Sequence, residues 1–282
     1  MSLFIASLNS GSNGNCYYIG TANEAVLVDA GISGRETDRR MKKLGLSMET
    51  VKAIFISHEH SDHITGLASL AKKYALPIYI TPATLQHCNL PLQEQDTRSF
   101  TAFQPVQVGS LSVTAFPKYH DAVDPHSFII TSAQTTIGVF TDIGQPCEHV
   151  QHYFSFCHAA FLESNYDDDM LTKGRYPQYL KNRIRGKQGH LSNRQAFDLF
   201  TSHRSPYMSH LLLSHLSKDN NSPDVAQQLF EQHANGTHIS VASRYIESEI
   251  FEITASGGRM PFPTPAPKQL LPPPLNYQLS LF

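Results

Sequence analysis

The sequence predicts an α/β fold: one large domain over residues 1–255, with a proline-rich disordered tail over 256–282. Three observations predict it. Largely hydrophobic runs of the buried, parallel-strand kind, such as Val51-Lys52-Ala53-Ile54-Phe55-Ile56 and Ile137-Gly138-Val139-Phe140, alternate with helix-patterned segments. A histidine-rich loop, residues 57–66, falls between one such strand and a helix, where ligands of α/β sheets gather. The composition then breaks at Gly257: seven of the last 26 residues are proline and none is acidic.

The elements follow in order. Ser2–Leu8 reads as a strand, and Asn9 to Asn15 as a turn-rich loop. Cys16–Gly20 and Ala25–Asp29 read as a hairpin, with Asp29 either a support for the later loop or an ordinary strand-end residue. Arg35–Leu44 is an expected helix. Ile64–Tyr74 shows apolar Leu67, Leu70 and Ala71 on one helical face. Pro77–Thr81 is a short strand and Val108–Phe116 an alternating, half-exposed one. Further strands are expected over Ser127–Thr131, Ile137–Gly144, Ala159–Glu163, Met208–Ser214, His238–Ala242 and Ile250–Ile253. Ser192 is placed to cap a helix running to about Phe200, and Pro223 to open one over Asp224–Gln232.

With 282 residues, 40% of them hydrophobic, the chain can bury a sizeable core. Its net charge of −2 carries no overall basic signal for nucleic acid. Cys16, Cys88, Cys147 and Cys157 are scattered with no CxxC pair, which argues against a zinc ribbon or a disulfide framework. They read as reduced thiols of a cytoplasmic protein. The start lacks the basic character of a signal peptide, and no apolar run reaches membrane-spanning length, so no membrane association is expected.

The chemistry concentrates in SHEHSDHITG, residues 57–66. It places His58, His60, Asp62 and His63 within six residues, and imidazole and carboxylate are the side chains that hold borderline divalent cations. Later histidines and acids also follow strands: His120, Asp142 and His215. His126 competes with His120 but opens the next strand. His149, His152, His203 and His210 lack such placement and read as surface or packing residues. A stretch without acids carries Arg175, Lys181, Arg183, Arg185 and Lys187, a local basic patch of the kind that attracts phosphate backbones. Taken alone, it is equally a solvated helix face.

These motifs resemble the metallo-β-lactamase-fold hydrolases. SHEHSDH matches their HxHxDH signature, and Leu27-Val28-Asp29-Ala30-Gly31 resembles the LxDxG stretch before it. The HDA run at His120, Ser164-Asn165-Tyr166-Asp167 and Leu216-Ser217-Lys218-Asp219-Asn220-Asn221 resemble the YycJ/WalJ-like exonuclease subgroup. The resemblance covers about residues 1–255 and implies an αββα four-layer sandwich. It implies two divalent metal ions, Zn2+ or Mn2+: one held by His58, His60 and His120, the other by Asp62, His63 and His215, with Asp142 bridging. It makes His190 the proton donor to the leaving group and counts Asp62 as catalytic. Arg183, Arg185, Lys187 and Asn165 are then expected on the substrate, and Glu59 is a supporting partner of the loop with no catalytic role.

The expected activity is phosphodiester hydrolysis of nucleic acid, DNA first, by a 5′→3′ exonuclease working in repair or replication. The alternatives are another ester hydrolase (a small phosphodiester, an RNA-processing substrate or a thioester) and a non-catalytic scaffold. The tail ends in Gln278-Leu279-Ser280-Leu281-Phe282, which resembles the peptide by which bacterial DNA-metabolising proteins dock on the sliding clamp. Leu281 and Phe282 would fill a pocket, Leu279 would lie beside them, and Gln278 would bond at the rim.

Overall fold

The computed structural model describes residues 2–92 and 96–255. The tail, with Gln278, Leu279, Leu281 and Phe282, lies outside them. The first sheet is built from β1 (Leu3–Asn9), β2 (Cys16–Gly20), β3 (Ala25–Val28), β4 (Val51–Phe55), β5 (Ile78–Tyr79) and β6 (Thr97–Arg98). The second runs through β7 (Pro105–Val108), β8 (Leu111–Pro117), β9 (His126–Ser132), β10 (Thr135–Phe140), β11 (Ala159–Glu163), β12 (His210–Ser214) and β13 (His238–Val241). A last strand, β14 (Phe251–Ile253), returns to the first sheet beside β1. In the first sheet β3 to β6 pair in parallel, and in the second β10 to β13 do.

Alternation across the pleat builds the layers. Val139, Phe161 and Leu212 point inward and meet Ile5, Tyr17, Val28 and Phe55 of the first sheet in one buried cluster. Their neighbours Phe140, Leu162, Leu211 and Leu213 face the other way. They pack under α5 (Glu148–Phe154), α8 (Asn193–His203) and α9 (Pro223–Glu231) through Val150, Phe154, Phe197, Phe200 and Phe230. The outer face of the first sheet, with Leu27 and Ile54, is covered by α1 (Gly34–Lys43) and α3 (Leu67–Tyr74) through Met41, Leu67 and Leu70. The result is the expected αββα sandwich. The caps follow the sequence: Ser33 accepts from Glu36 N, and Ser192 forms a full capping box with Gln195.

Three expectations are corrected locally. The strand expected from Val108 begins only at Leu111: Val108 ends β7, and Gly109 at φ 60° turns the chain into β8 while Ser110 N donates to Glu24. The helix expected over Ile64–Tyr74 breaks at Gly66, which packs so tightly on the β3 loop that a Cβ there would lie 2.0 Å from Ile32 O. A four-residue helix, Ser61–Ile64, precedes the break. The strand expected to reach Gly144 ends at Phe140, and Asp142 turns at φ 53°. The four cysteines are unpaired, as read from the sequence. No helix among the described residues is long and apolar enough to cross a membrane.

Candidate metal centre

The carboxyl ends of β3, β4, β8, β10, β11 and β12 meet at one edge of the sandwich. His58, His60, Asp62 and His63 follow β4; His120 follows β8; Asp142 follows β10; Glu163 closes β11; His215 follows β12. His60, Asp62, His120, Asp142 and His215 line a cleft of about 280 Å³, together with Asn165 and His190. One ligand-capable atom each from His58, His60 and His120 lies within 4.8 Å of the others, and so it is for His58, His63 and Asp142. Asp62 Oδ2 is 3.5 Å from His63 Nε2 and 3.7 Å from His215 Nε2. The seven residues expected to hold metal are therefore brought together.

The hydrogen bonds show which atoms are left to bind. Ser57 Oγ donates to Asp29 Oδ2 at 2.9 Å, so its oxygen accepts from His58 Nδ1 at 2.9 Å. His63 Nδ1 donates to Asp29 at 2.7 Å, His120 Nδ1 to Gly189 O at 3.1 Å, and His215 Nδ1 to Glu163 Oε1 at 3.1 Å. Each of these four rings thus spends Nδ1 on the protein and turns Nε2 toward the cluster, the arrangement that fixes a ligating tautomer. His120 Nε2, His215 Nε2 and Asp142 Oδ2 are buried and without a hydrogen-bond partner. His58 Nε2 faces His60 Nδ1 at 3.1 Å. Buried lone pairs left so close together are costly unless a cation satisfies them.

The charges agree. Asp29, Asp142 and Glu163 are buried, with Asp62 beside them, and the facing cation is Lys118, buried and donating to Thr141 O at 2.7 Å. Burial lowers the Lys118 pKa and keeps His58 and His120 well below the ordinary histidine value. Burial also works against charge on His63 and His215, but Asp142 and neighbouring carboxylates prevail and raise both. The edge is a pocket of buried carboxylates facing imidazoles, the donor set that suits divalent zinc or manganese.

Several supports were not legible as such in the sequence. Asp29 accepts from Ser57 N, Ser57 Oγ and His63 Nδ1, which decides for its role in holding the metal loop. Asn15 Nδ2 donates to Asp62 Oδ2 at 3.1 Å and lies 3.1 Å from His63 Nε2. Glu163 is the largest omission. Its Oε2 accepts from Ile143 N and Leu191 N, and its Oε1 from His190 Nδ1 at 2.7 Å and His215 Nδ1. With both oxygens committed to protein donors, it is an anchor for two histidines, unlike Asp142 with its bare Oδ2. An acid closing a strand beside a strand that ends in Asp142 was the available signal.

The remaining expected residues divide. His190 lines the cleft, one-fifth exposed. Asn165 lines it too, and its Nδ2 donates to His215 O. Glu59 accepts from Val123 N, tying the His58 loop to the His120 loop. His126 instead bonds Asp124 O and packs on Phe100. The basic run is partly internal: Lys181 is buried and donates to Thr172 O, and Arg185 bonds Asp168 O and the Thr172 hydroxyl. Arg183 lines the metal cleft, and with Lys187 it lines a neighbouring hollow.

Residues 24–215 match the Beta-lactamase superfamily domain. The chain belongs to the metallo-β-lactamase superfamily. It is 34% identical to exodeoxyribonuclease YycJ of Bacillus anthracis over 93% of this chain and 98% of that protein. It is 30% identical to exodeoxyribonuclease WalJ of Streptococcus pneumoniae over 78% of this chain and 83% of the relative. Among solved structures, the metallo-β-lactamase fold protein YhfI from Bacillus subtilis superposes with a TM-score of 0.70 at 18% identity. That match covers 89% of this chain and all of YhfI, and it shows the fold. The chain is a metal-dependent hydrolase of the YycJ/WalJ-like branch.

Proposed function

We propose that this superfamily member is a nuclease, specifically a 5′→3′ exodeoxyribonuclease of DNA repair or replication that acts in the cytoplasm on two divalent ions, Zn2+ or Mn2+. The observation that carries the reading is the convergence of seven ligand-capable side chains beside a Glu163-held His190 and the Arg183 guanidinium. Likeness to YycJ over nearly the whole length of both chains supports DNA as the substrate.

His58, His60 and His120 would hold one ion, Asp62, His63 and His215 the other, and Asp142 both. When bound, such ions activate a water and neutralise charge on the phosphoryl oxygens. The chain's own residues do the rest. Asn15 and Asp29 keep Asp62 and His63 in place. Glu163 accepts a 2.7 Å hydrogen bond from His190 Nδ1–H, so the proton free to move is on Nε2. As the phosphorus–oxygen bond breaks, that proton passes to the departing oxygen. Arg183 and Lys187 meet the strand's phosphates; Asn165 positions His215 and faces the substrate.

The 1–255 domain carries this chemistry and the 256–282 tail carries recruitment. Gln278, Leu279, Leu281 and Phe282 support docking on the sliding clamp by their likeness to a clamp-binding peptide, and the proline-rich spacer supplies reach at low ordering cost. Digestion of 5′- and 3′-labelled single- and double-stranded DNA, with each metal and after chelation, tests the enzymatic reading. Metal-dependent release of nucleotides from the 5′ end is expected. Hydrolysis of bis(p-nitrophenyl) phosphate without any cleavage of DNA would overturn it. A pull-down with purified clamp tests the tail, and equal capture of protein lacking residues 278–282 would refute docking.

A further inference from the structure

Beside the metal cleft lies a second, open hollow of about 500 Å³, lined by Asp121, Arg183, Gly186, Lys187 and Gln188. Arg183 stands between the two, since it lines both. The helix α7 (Gln178–Arg185) explains how. Its Leu180 and Ile184 face the metal cleft. Tyr179 is four residues before Arg183, so it lies one turn away on the same flank of the helix. It is 75% exposed, the most exposed large apolar side chain among the described residues. An aromatic ring presented to water one helical turn from the guanidinium that lines both spaces offers a face on which a base can stack.

Arg183 is also set for phosphate. Its Nε donates to Asp121 Oδ2 at 2.6 Å, which fixes the plane of the guanidinium. Both Nη groups are left without a partner among the described residues, on a side chain that is 58% exposed. A planar fork with two free N–H arms pairs bidentately with a phosphate. Asp121 follows His120, so the fork is fixed by the same loop that brings a ligand-capable imidazole to the metal centre. The charged groups facing the hollow are Asp121, Arg183 and Lys187, one anion against two cations.

We infer that this hollow and the flank of α7 beside Arg183 form a subsite for one unpaired nucleotide next to the scissile linkage, its phosphate held in the hollow by Arg183 and Lys187 and its base stacked on Tyr179, one turn along the helix. The inference rests on the nuclease reading above and names its substrate: a strand that is single-stranded where it is cut. Aromatic stacking is indifferent to base identity, which suits an enzyme that digests any sequence. A paired base cannot lie flat on the ring without leaving its stack, so duplex ends must fray before cleavage.

The test uses the full-length, metal-loaded protein and single-stranded oligonucleotides carrying 2-aminopurine at the nucleotide beside the cleaved linkage. Stacking in the wild type quenches the probe; Tyr179→Phe keeps the quench and Tyr179→Ala loses it. The KM for the single strand rises about tenfold in Tyr179→Ala, the loss of one base stack. In Arg183→Gln the log–log salt dependence of binding falls by about 0.7, the loss of one phosphate contact on a single strand. A Tyr179→Ala protein with wild-type KM and quench would overturn the subsite while leaving the nuclease intact. A wild type that hydrolyses bis(p-nitrophenyl) phosphate but neither binds nor cuts oligonucleotides would instead overturn the nuclease reading, and the subsite with it.

Discussion

The metal centre has two halves that reach the same place by different routes. One half is local: His58, His60, Asp62 and His63 occupy a single loop after β4. The other is assembled from single residues, His120, Asp142 and His215, each at the end of a different strand of the second sheet. The local half is held largely by main chain. Asn15 N donates to Asp62 O, His63 N to His60 O, and Ala30 N to His63 O. Gly31 comes so close that a Cβ would lie 1.7 Å from Asp62 O. The dispersed half is held by side chains. Asp142 and His215 sit at φ 53° and 56°, as Asp29 of the local half does at 62°, a left-handed conformation that costs on the order of 1 kcal/mol or more for a residue with a Cβ. Glu163 then bonds His215 and His190 together. A contiguous motif is positioned by its own loop, whereas a dispersed one depends on buried anchors between strands.

That contrast can be broken most directly at Asp142, the carboxylate that lies against both halves. Asp142→Ala should reduce the metal bound per chain, measured by inductively coupled plasma mass spectrometry; on the proposed two-ion reading both equivalents fall together. Loss confined to one equivalent would place the bridge elsewhere. His190→Ala should keep its metal and lose about 10²- to 10⁴-fold in turnover, the usual worth of a positioned proton donor. Wild-type turnover would remove His190 from the reaction.

Glu163→Gln and Asp29→Asn sharpen the comparison, since each removes one charge from an anchor of one half. Glu163→Gln should lower turnover about 100-fold, because His190 and His215 both bond that carboxylate through Nδ1. Asp29→Asn should weaken metal affinity about tenfold, since main-chain bonds still hold the loop. Equal effects from the two, read by metal titration and initial rates, would mean that both halves lean alike on their anchors.

The sequence by itself determined the local half, the strand and helix periodicities, the caps at Ser192 and Pro223, and the order in which ligand-bearing strand ends occur. These are properties of neighbouring residues: alternation, capping chemistry and short spacing survive in one dimension. Only the tertiary structure decided that Asp29 supports the loop, that Glu163 clamps His190 to His215, and that Lys181 and Arg185 of the basic run turn inward while Arg183 and Lys187 face the hollow. The reason is physical. A carboxylate at a strand end is the same letter whether it caps a helix, meets a cation or braces two imidazoles. What separates these roles is which donors the strand order β10-β11-β12 places within hydrogen-bond reach, and that depends on pairings between residues far apart in the chain.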